Sequence, residues 1–430
     1  MLGIGATTGG LALGYGSWRH RTGLAARAVA AWGDSLTEGA GAGPDEAWPA
    51  VAEAKSGRRI ANLGIGGQTS TQIAARQGAV PIAVSLTEGA IPGWIEADWD
   101  FRDGLSAWAP RLAAPPAAIF AEGDALVIEA EGTPFSGAQV WLGQQLEAGR
   151  TVTLSFEIDM GGASWIEVGL VNSGSATTFN GSWSARRGFS SGGLKSFDLT
   201  VGSDGEATAN SLCVMTHTQV GTVRIGNVSL EEAQPEAAVS DMSVNVLTRS
   251  GAHVGAMQGR LAEAAGTMVT DPDGHWTFLR TETGPAVTVA DGTAFVPDIA
   301  AAMADRAAWI WAGRNNAVAP ETVKADIGAM IAHLDHGEYL VGSVLPSASD
   351  GSTTLAAIGA LNADLAAHHG GRFVDCLAAL QAGSDGSAGD QADVTAGLVP
   401  RSLRSDAIHL DAAGYARVAE AFVAASARSG

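Results

Sequence analysis

Cysteine is nearly absent from the chain: Cys213 and Cys376 are the two among 430 residues. That number excludes a disulfide framework and a cysteine metal site. Basic residues are scarce too, 25 Lys and Arg against 45 Asp and Glu, and the net charge is −20. Such a charge repels nucleic-acid phosphates and anionic membrane surfaces, which argues against either as a general partner and favours neutral substrates. No uninterrupted apolar run reaches the ~18–20 residues that span a membrane, because Gly, Arg or Asp breaks each one. The segment Met1 to Ser17 lacks the basic start and compact apolar run of a secretory signal, which leaves export open. What the chain does have is apolar material, 46% of residues, and 57 glycines. A large core follows, disorder is excluded, and at roughly 100–200 residues per domain the length suggests two or three domains.

Periodicity divides the chain into three kinds of segment. From Arg27 to about Gly78 strands alternate with helices: Ala28 to Trp32 and Arg59 to Leu63 read as strands, Pro44 to Lys55 and Ser70 to Gln77 as helices. The alternation returns at Ala307 to Ala312 and Tyr339 to Leu345, with Val323, Ile327, Met330 and Leu334, then Leu355, Ile358, Leu361 and Leu365, at helical spacing. A closing helix follows Asp411. Strands separated by helices of this length predict a parallel sheet with helices on both faces. Between these halves, period-two alternation and Gly/Ser turns predict an all-β insertion, clearest at Val152 to Ile158, Ile166 to Leu170, Phe197 to Val201 and Val223 to Leu230. Glu231 to Glu236, acidic and containing Pro235, reads as a linker. Beyond it Val244 to Thr248, Trp276 to Arg280 and Ala286 to Val289 read as strands of a smaller β-subdomain, joined by Pro81 to Leu86. Residues 1–81 and 300–430 are thus expected to form one α/β domain, 82–95 and 234–299 the small β-subdomain, and 96–233 the sandwich.

Four segments carry chemistry, each at a strand end, where open α/β folds place their sites. Gly33-Asp34-Ser35-Leu36 offers a hydroxyl nucleophile, although a Gly-Asp-Ser turn with a capping Ser is an equal reading of that tetrapeptide alone. Asp406-Ala407-Ile408-His409 sets a carboxylate and an imidazole three residues apart, so that Asp406 can hold one ring nitrogen while the other faces a nucleophile. Asn62 to Ser70 is a glycine-rich turn whose N–H groups can meet a developing oxyanion, and Gly313-Arg314-Asn315-Asn316 adds an amide side chain. Turn formation explains any one of them; the four together point to acyl transfer. No metal-ligand, dinucleotide or Walker pattern occurs, so no metal or cofactor is expected. His253 and His275 read as packing or surface residues.

In this order the segments resemble the four blocks of the SGNH, or GDSL-type, serine hydrolases over about residues 27–80 and 300–425, half the chain. The resemblance implies a flavodoxin-like three-layer α/β/α domain. It carries the nucleophile onto Ser35, the base onto His409 and its orienting acid onto Asp406, and the oxyanion donors onto the Ser35 N–H, Gly67 and Asn315. Asn316 departs from the family's usual Asp. The family acts without a cofactor, through an acyl-enzyme.

The stretch from about Trp94 to Glu232 is similar in strand pattern to the jelly-roll-like β-sandwich carbohydrate-binding modules of polysaccharide-active enzymes. Trp141, Trp165 and Trp183 are the candidate sugar-stacking faces, with Trp94, Trp99 and Trp108 as further tryptophans and Asn172, Asn180 and Gln144 as hydrogen-bonding groups. Trp183 lies with the polar run Thr177 to Ser182, which reads as a loop. A sandwich tryptophan is more often core. Together the two resemblances imply an esterase that removes acyl groups, foremost acetyl, from a polysaccharide or glycoconjugate, in an extracellular or virion-associated setting. The alternatives are a general short-chain esterase or lysophospholipase, and a noncatalytic carbohydrate-binding or adhesion protein on a hydrolase scaffold.

Overall fold

A computed structural model describes residues 27–174, 179–249, 252–253 and 256–429. The glycine-rich start, Thr177, Thr178 and the His253 side chain, all read above, lie outside the described residues.

Five strands form a parallel sheet in the order Ile60–Gly64, Val29–Gly33, Ala307–Trp311, Tyr339–Gly342, Phe373–Val374. Its two longest-buried strands, Val-Ala-Ala-Trp-Gly and Ala-Ala-Trp-Ile-Trp, have no exposed position. Such unbroken apolar runs are required of strands covered on both faces. Parity sorts the side chains. Val29, Ala31, Trp309 and Trp311 pack with Trp48, Leu380, Tyr415 and Phe422, from the helices Trp48–Ser56, Cys376–Gln381 and Ala412–Ser429. Ala30, Trp32, Ala308 and Ile310 meet Ile73, Val323, Ile327, Ile358 and Leu361 from the helices Ser70–Gln77, Pro320–Ala332 and Ser352–His369. Trp48 stacks on Phe422 with ring centres 4.4 Å apart.

Between the two halves of this sheet the chain builds a closed six-stranded barrel, ordered Glu236–Met242, Trp276–Arg280, Ala264–Thr270, Ala256–Leu261, Thr293–Pro297, Ile82–Leu86. Ile82, Val84, Leu261, Met268, Phe278 and Phe295 fill it. Within the barrel's own chain break lie two antiparallel sheets. One is ordered Gly193–Thr200, Thr151–Asp159, Val220–Glu232, Ala125–Glu131, Ala118–Glu122, with Glu96–Trp99 added to Val220–Glu232. The other runs Ser182–Phe189, Ile166–Asn172, Ala209–Met215, Gly137–Leu146, Ala109–Pro110. Leu126, Ile128, Leu154 and Phe156 from the first and Val140, Val168, Leu170 and Leu212 from the second share one core.

Three local expectations change. The acidic stretch is not a linker: Glu231 and Glu232 end one strand, Glu236 opens the next, and three residues intervene. Those residues are tied down by an Arg150–Glu232 ion pair and by the Gln234 amide donating to Arg280 O. Of the expected strand Val244 to Thr248, residues 244–247 form a loop whose Val246 and Leu247 are buried in the barrel's core cluster, and only Thr248 is in a strand, the two-residue Thr248–Arg249. The strands Ala256–Leu261 and Ala264–Thr270 escape periodicity because Ala and Gly, both depleted in strands, outnumber β-branched residues over the two.

Candidate active site

Val29–Gly33 ends where a Cβ on Gly33 would lie 2.0 Å from Thr37 Oγ1 and 2.6 Å from Trp311 O, so glycine is required for the tight turn that follows. Asp34 caps that turn, its Oδ1 accepting the Leu36 N–H at 3.0 Å. Ser35 then opens the short helix Ser35–Glu38 and is 8% exposed.

The other half of the site is a turn before the last helix. Arg404 and Leu410 pair across it, and the Ser405 N–H donates to His409 O at 3.0 Å. Asp406 Oδ1 accepts the N–H groups of Ile408 and His409, each at 2.7 Å, and Oδ2 meets His409 Nδ1 at 2.7 Å. His409 Nε2 stands 2.9 Å from Ser35 Oγ. Burial works to raise the Asp406 pKa, but the His409 ring and the two backbone donors outweigh it and hold the carboxyl at about 2. An ionised Oδ2 can only accept, so Nδ1 carries the proton and Nε2 is free to accept from Ser35 Oγ–H.

The adjoining carboxylate behaves oppositely. Burial pushes Asp34 up to about 6, against the Leu36 N–H and the charges of His409 and Arg314. Its Oδ2 has no hydrogen-bond partner among the described residues.

In the glycine-rich turn, the Gly66 N–H is already taken by Glu38 Oε2 at 2.9 Å, and Gly67 adopts φ +79°, in the left-handed region that favours glycine. Gly64 permits close approach, since a Cβ there would meet Glu38 N at 2.0 Å. Asn315 Nδ2 donates to Gln68 O at 2.9 Å, which fixes the amide's orientation and leaves its second hydrogen uncommitted by that bond. Asn316 brackets Ser70: its Oδ1 accepts the Ser70 N–H at 3.1 Å and its Nδ2 donates to Ser70 Oγ at 2.9 Å. Ser70 Oγ and Thr71 Oγ1 donate in turn to Asp326, at 2.5 and 2.7 Å. Arg314 forks onto Asp350 at 2.7 and 2.8 Å. Asp350 also accepts the Ser347 N–H at 2.7 Å, and Ser347 Oγ and the Ala348 N–H reach Ala407 O at 3.1 and 2.8 Å. Asn315's loop and the His409 turn are thereby joined.

Asp34, Gln68, Asp326 and Asp350 were not singled out by sequence. Their partners are 2 to 256 residues away, and no pattern read above announces them; the cap read at Ser35 is made instead by Asp34, with Ser35 the first helical residue. Two open depressions, of about 450 and 470 Å³, lie elsewhere, against the helix Ser352–His369, and contain no residue of the Ser35–His409–Asp406 chain. Asp271, Asp273 and His275 bring ligand atoms within 4.8 Å of one another in an exposed barrel turn, which alone defines no metal site.

In the sandwich, Trp108 is core. Trp165 is 39% exposed, lies over Gly188 and stacks on His217 at 5.3 Å. Trp183 belongs to a strand and not to a loop; it is half-buried against Val171, Cys213 and Met215, with Arg186 5.5 Å over its ring. Register places Trp183 beside Val171, Val171 beside Ser211 and Ser211 beside Trp141, so Trp141 and Trp183 flank one cross-strand row, about 14 Å apart at the usual strand spacing. Gln144 is committed to Trp94 O at 2.8 Å, and Asn172 to Thr208 and Asn210 at 2.9 and 3.1 Å; Asn180 is exposed.

Among the described residues no helix is long and apolar enough to cross a membrane. The fold and these side chains define a mixed α/β protein with a Ser–His hydrogen bond and a partnered carboxylate at the carboxyl edge of a parallel sheet, interrupted by an all-β insertion.

No protein-family model matches the chain, and no curated protein matches it. Among solved structures, BiXyn10A CBM1 in its apo form is 16% identical over 33% of this chain and 99% of its own, with a TM-score of 0.23. A CBM4 structure is 16% identical over 32% of this chain and 86% of its own, at 0.22. CBM86, a low-affinity xylan binding module from Roseburia intestinalis, is 12% identical over 32% of this chain and 96% of its own, at 0.23. At these scores the likeness assigns neither fold nor ligand to this chain.

Proposed function

We propose that the chain is a serine esterase of the SGNH type that hydrolyses ester groups, foremost O-acetyl, on a polysaccharide or glycoconjugate. The observation that carries the reading is the chain Ser35 Oγ, His409 Nε2, His409 Nδ1, Asp406 Oδ2, with links of 2.9 and 2.7 Å. Ser35 Oγ attacks the acyl carbonyl as its proton passes to His409 Nε2, and Asp406 stabilises the resulting imidazolium. The oxyanion meets the N–H of Ser35, the N–H of Gly67 and Asn315 Nδ2; one such donor is worth about 2.7–4 kcal/mol in the transition state. His409 returns the proton to the departing sugar oxygen. Water, deprotonated by His409, then releases the carboxylic acid and restores Ser35.

In this reading residues 1–81 and 300–430 form the hydrolase domain, 82–95 and 234–299 the small β-subdomain, and 96–233 a sugar-holding sandwich. Trp141, Trp165 and Trp183 would be its stacking faces; the partial exposure of Trp141 and Trp183 on one sheet, and of Trp165 just before its strand Ile166–Asn172, supports that role. The test is release of acetate from acetylated polysaccharides and of p-nitrophenol from p-nitrophenyl acetate. Turnover by the wild type that vanishes in Ser35→Ala is expected. Equal turnover by both proteins would remove Ser35 as nucleophile.

A further inference from the structure

Arg76, on the helix Ser70–Gln77, is 3% exposed. A guanidinium this deep ordinarily faces a carboxylate. Among the described residues Arg76 has none: it donates to Gln68 Oε1 at 2.6 Å, Leu63 O at 2.9 Å and Gly33 O at 3.2 Å, and its remaining face lies over the Trp32 ring at 5.7 Å. Burial alone pulls its pKa down, to about 9, which leaves it charged at neutral pH. Two of the acceptors are the carbonyls at the ends of the strands that lead into Ser35 and into the Gly67 turn. The third, Gln68, is fully buried and is a crossing point. Its backbone oxygen holds Asn315 Nδ2, and its side-chain amide donates to Val246 O at 2.8 Å and Thr248 O at 3.3 Å, in the segment that enters the barrel's core cluster. The same segment supplies Arg249, which pairs with Glu38, the residue holding the Gly66 N–H.

We propose that Arg76 and Gln68 are positioning residues for ester hydrolysis: the unpaired guanidinium locks Gln68, and Gln68 locks the oxyanion loop and Asn315 against the barrel, making the barrel part of the hydrolytic machinery. The inference rests on the esterase reading above. An uncompensated positive charge in a water-poor interior also favours the negative charge that develops on the carbonyl oxygen, and it needs no reorganisation to do so.

The test compares the full-length wild type with Arg76→Met, Arg76→Lys and Gln68→Met, in p-nitrophenyl acetate hydrolysis, thermal melting and inhibition by a boronic acid, which becomes a tetrahedral anion on a serine. In Arg76→Met and Gln68→Met, kcat falls on the order of 10- to 100-fold, less than the loss of an oxyanion donor itself, with KM within about 3-fold. The boronic acid weakens by the same factor as kcat/KM, and Arg76→Lys recovers part of the loss. A folded Arg76→Met or Gln68→Met with kcat within about 2-fold of wild type overturns the proposal, even if its melting temperature drops. Should Arg76→Met lack a cooperative melt, Gln68→Met decides. A wild type that neither turns over the ester nor reacts at Ser35 with a fluorophosphonate overturns the esterase reading and this proposal together, which no variant result alone can do.

Discussion

Two carboxylates stand beside the Ser35–His409 pair, and their surroundings drive them apart. Asp406 is surrounded by donors and stays ionised down to about pH 2. Replacing it with Asn puts an amide donor where Nδ1–H needs an acceptor, so Asp406→Asn should lower kcat on the order of 10³- to 10⁴-fold in the ester assay while the protein stays folded. Asp34 is buried with one oxygen unpartnered among the described residues and a pKa raised to about 6 from 3.8. The folded state therefore binds its proton more tightly than the unfolded chain, and stability from this group is lost as pH rises between about 4 and 6. The shift corresponds to about 3 kcal/mol. Urea unfolding of wild type and Asp34→Asn at pH 4 and pH 8 checks it: the variant should gain relative stability on going to pH 8. A difference that does not change with pH would mean that the Asp34 carboxyl is not shifted.

At the scale of elements, one departure from the resembled motif acquires a physical account. Where the SGNH pattern has Asp, Asn316 is needed as a donor, because its Nδ2 satisfies a Ser70 Oγ whose own hydrogen goes to the buried Asp326. Asn316→Asp would set two carboxylates on one hydroxyl. It should cost about 1–3 kcal/mol in denaturant unfolding rather than repair a defect. The helix Trp48–Ser56 buries Trp48 fully, in a cluster of mutually packed rings with Phe422 and Trp309. Trp48→Ala should cost about 3–5 kcal/mol, read from the urea midpoint, since no neighbouring ring can fill the space.

At the scale of the whole molecule, the alternation of strand and helix and the change to period two were both legible, because each is a local pattern set by which faces are covered. Barrel closure was not. It joins Ile82–Leu86 to Glu236–Met242 and Thr293–Pro297 across more than a hundred residues, and two of its strands are too rich in Ala and Gly to declare themselves. The proposed division of labour between barrel and sandwich carries its own expectation. Trp141→Ala combined with Trp183→Ala should leave p-nitrophenyl acetate turnover unchanged and lower the rate on acetylated polymer. Equal rates on both substrates would remove the sandwich from substrate binding.

Composition, periodicity and the four short motifs are properties of neighbours in the chain, and they were enough to name an α/β sheet, an all-β insertion, and Ser35, Asp406, His409, Gly67 and Asn315 as residues of interest. Those motifs say which groups are present. They do not say what surrounds them, and the surroundings are made by contacts between residues far apart in sequence. Ser35 and His409 are separated by 374 positions, and Gln68 and Val246 by 178. Burial, orphaned oxygens and the unpaired charge of Arg76 exist only once the chain has closed on itself, because desolvation is a property of a packed interior and not of a sequence of side chains.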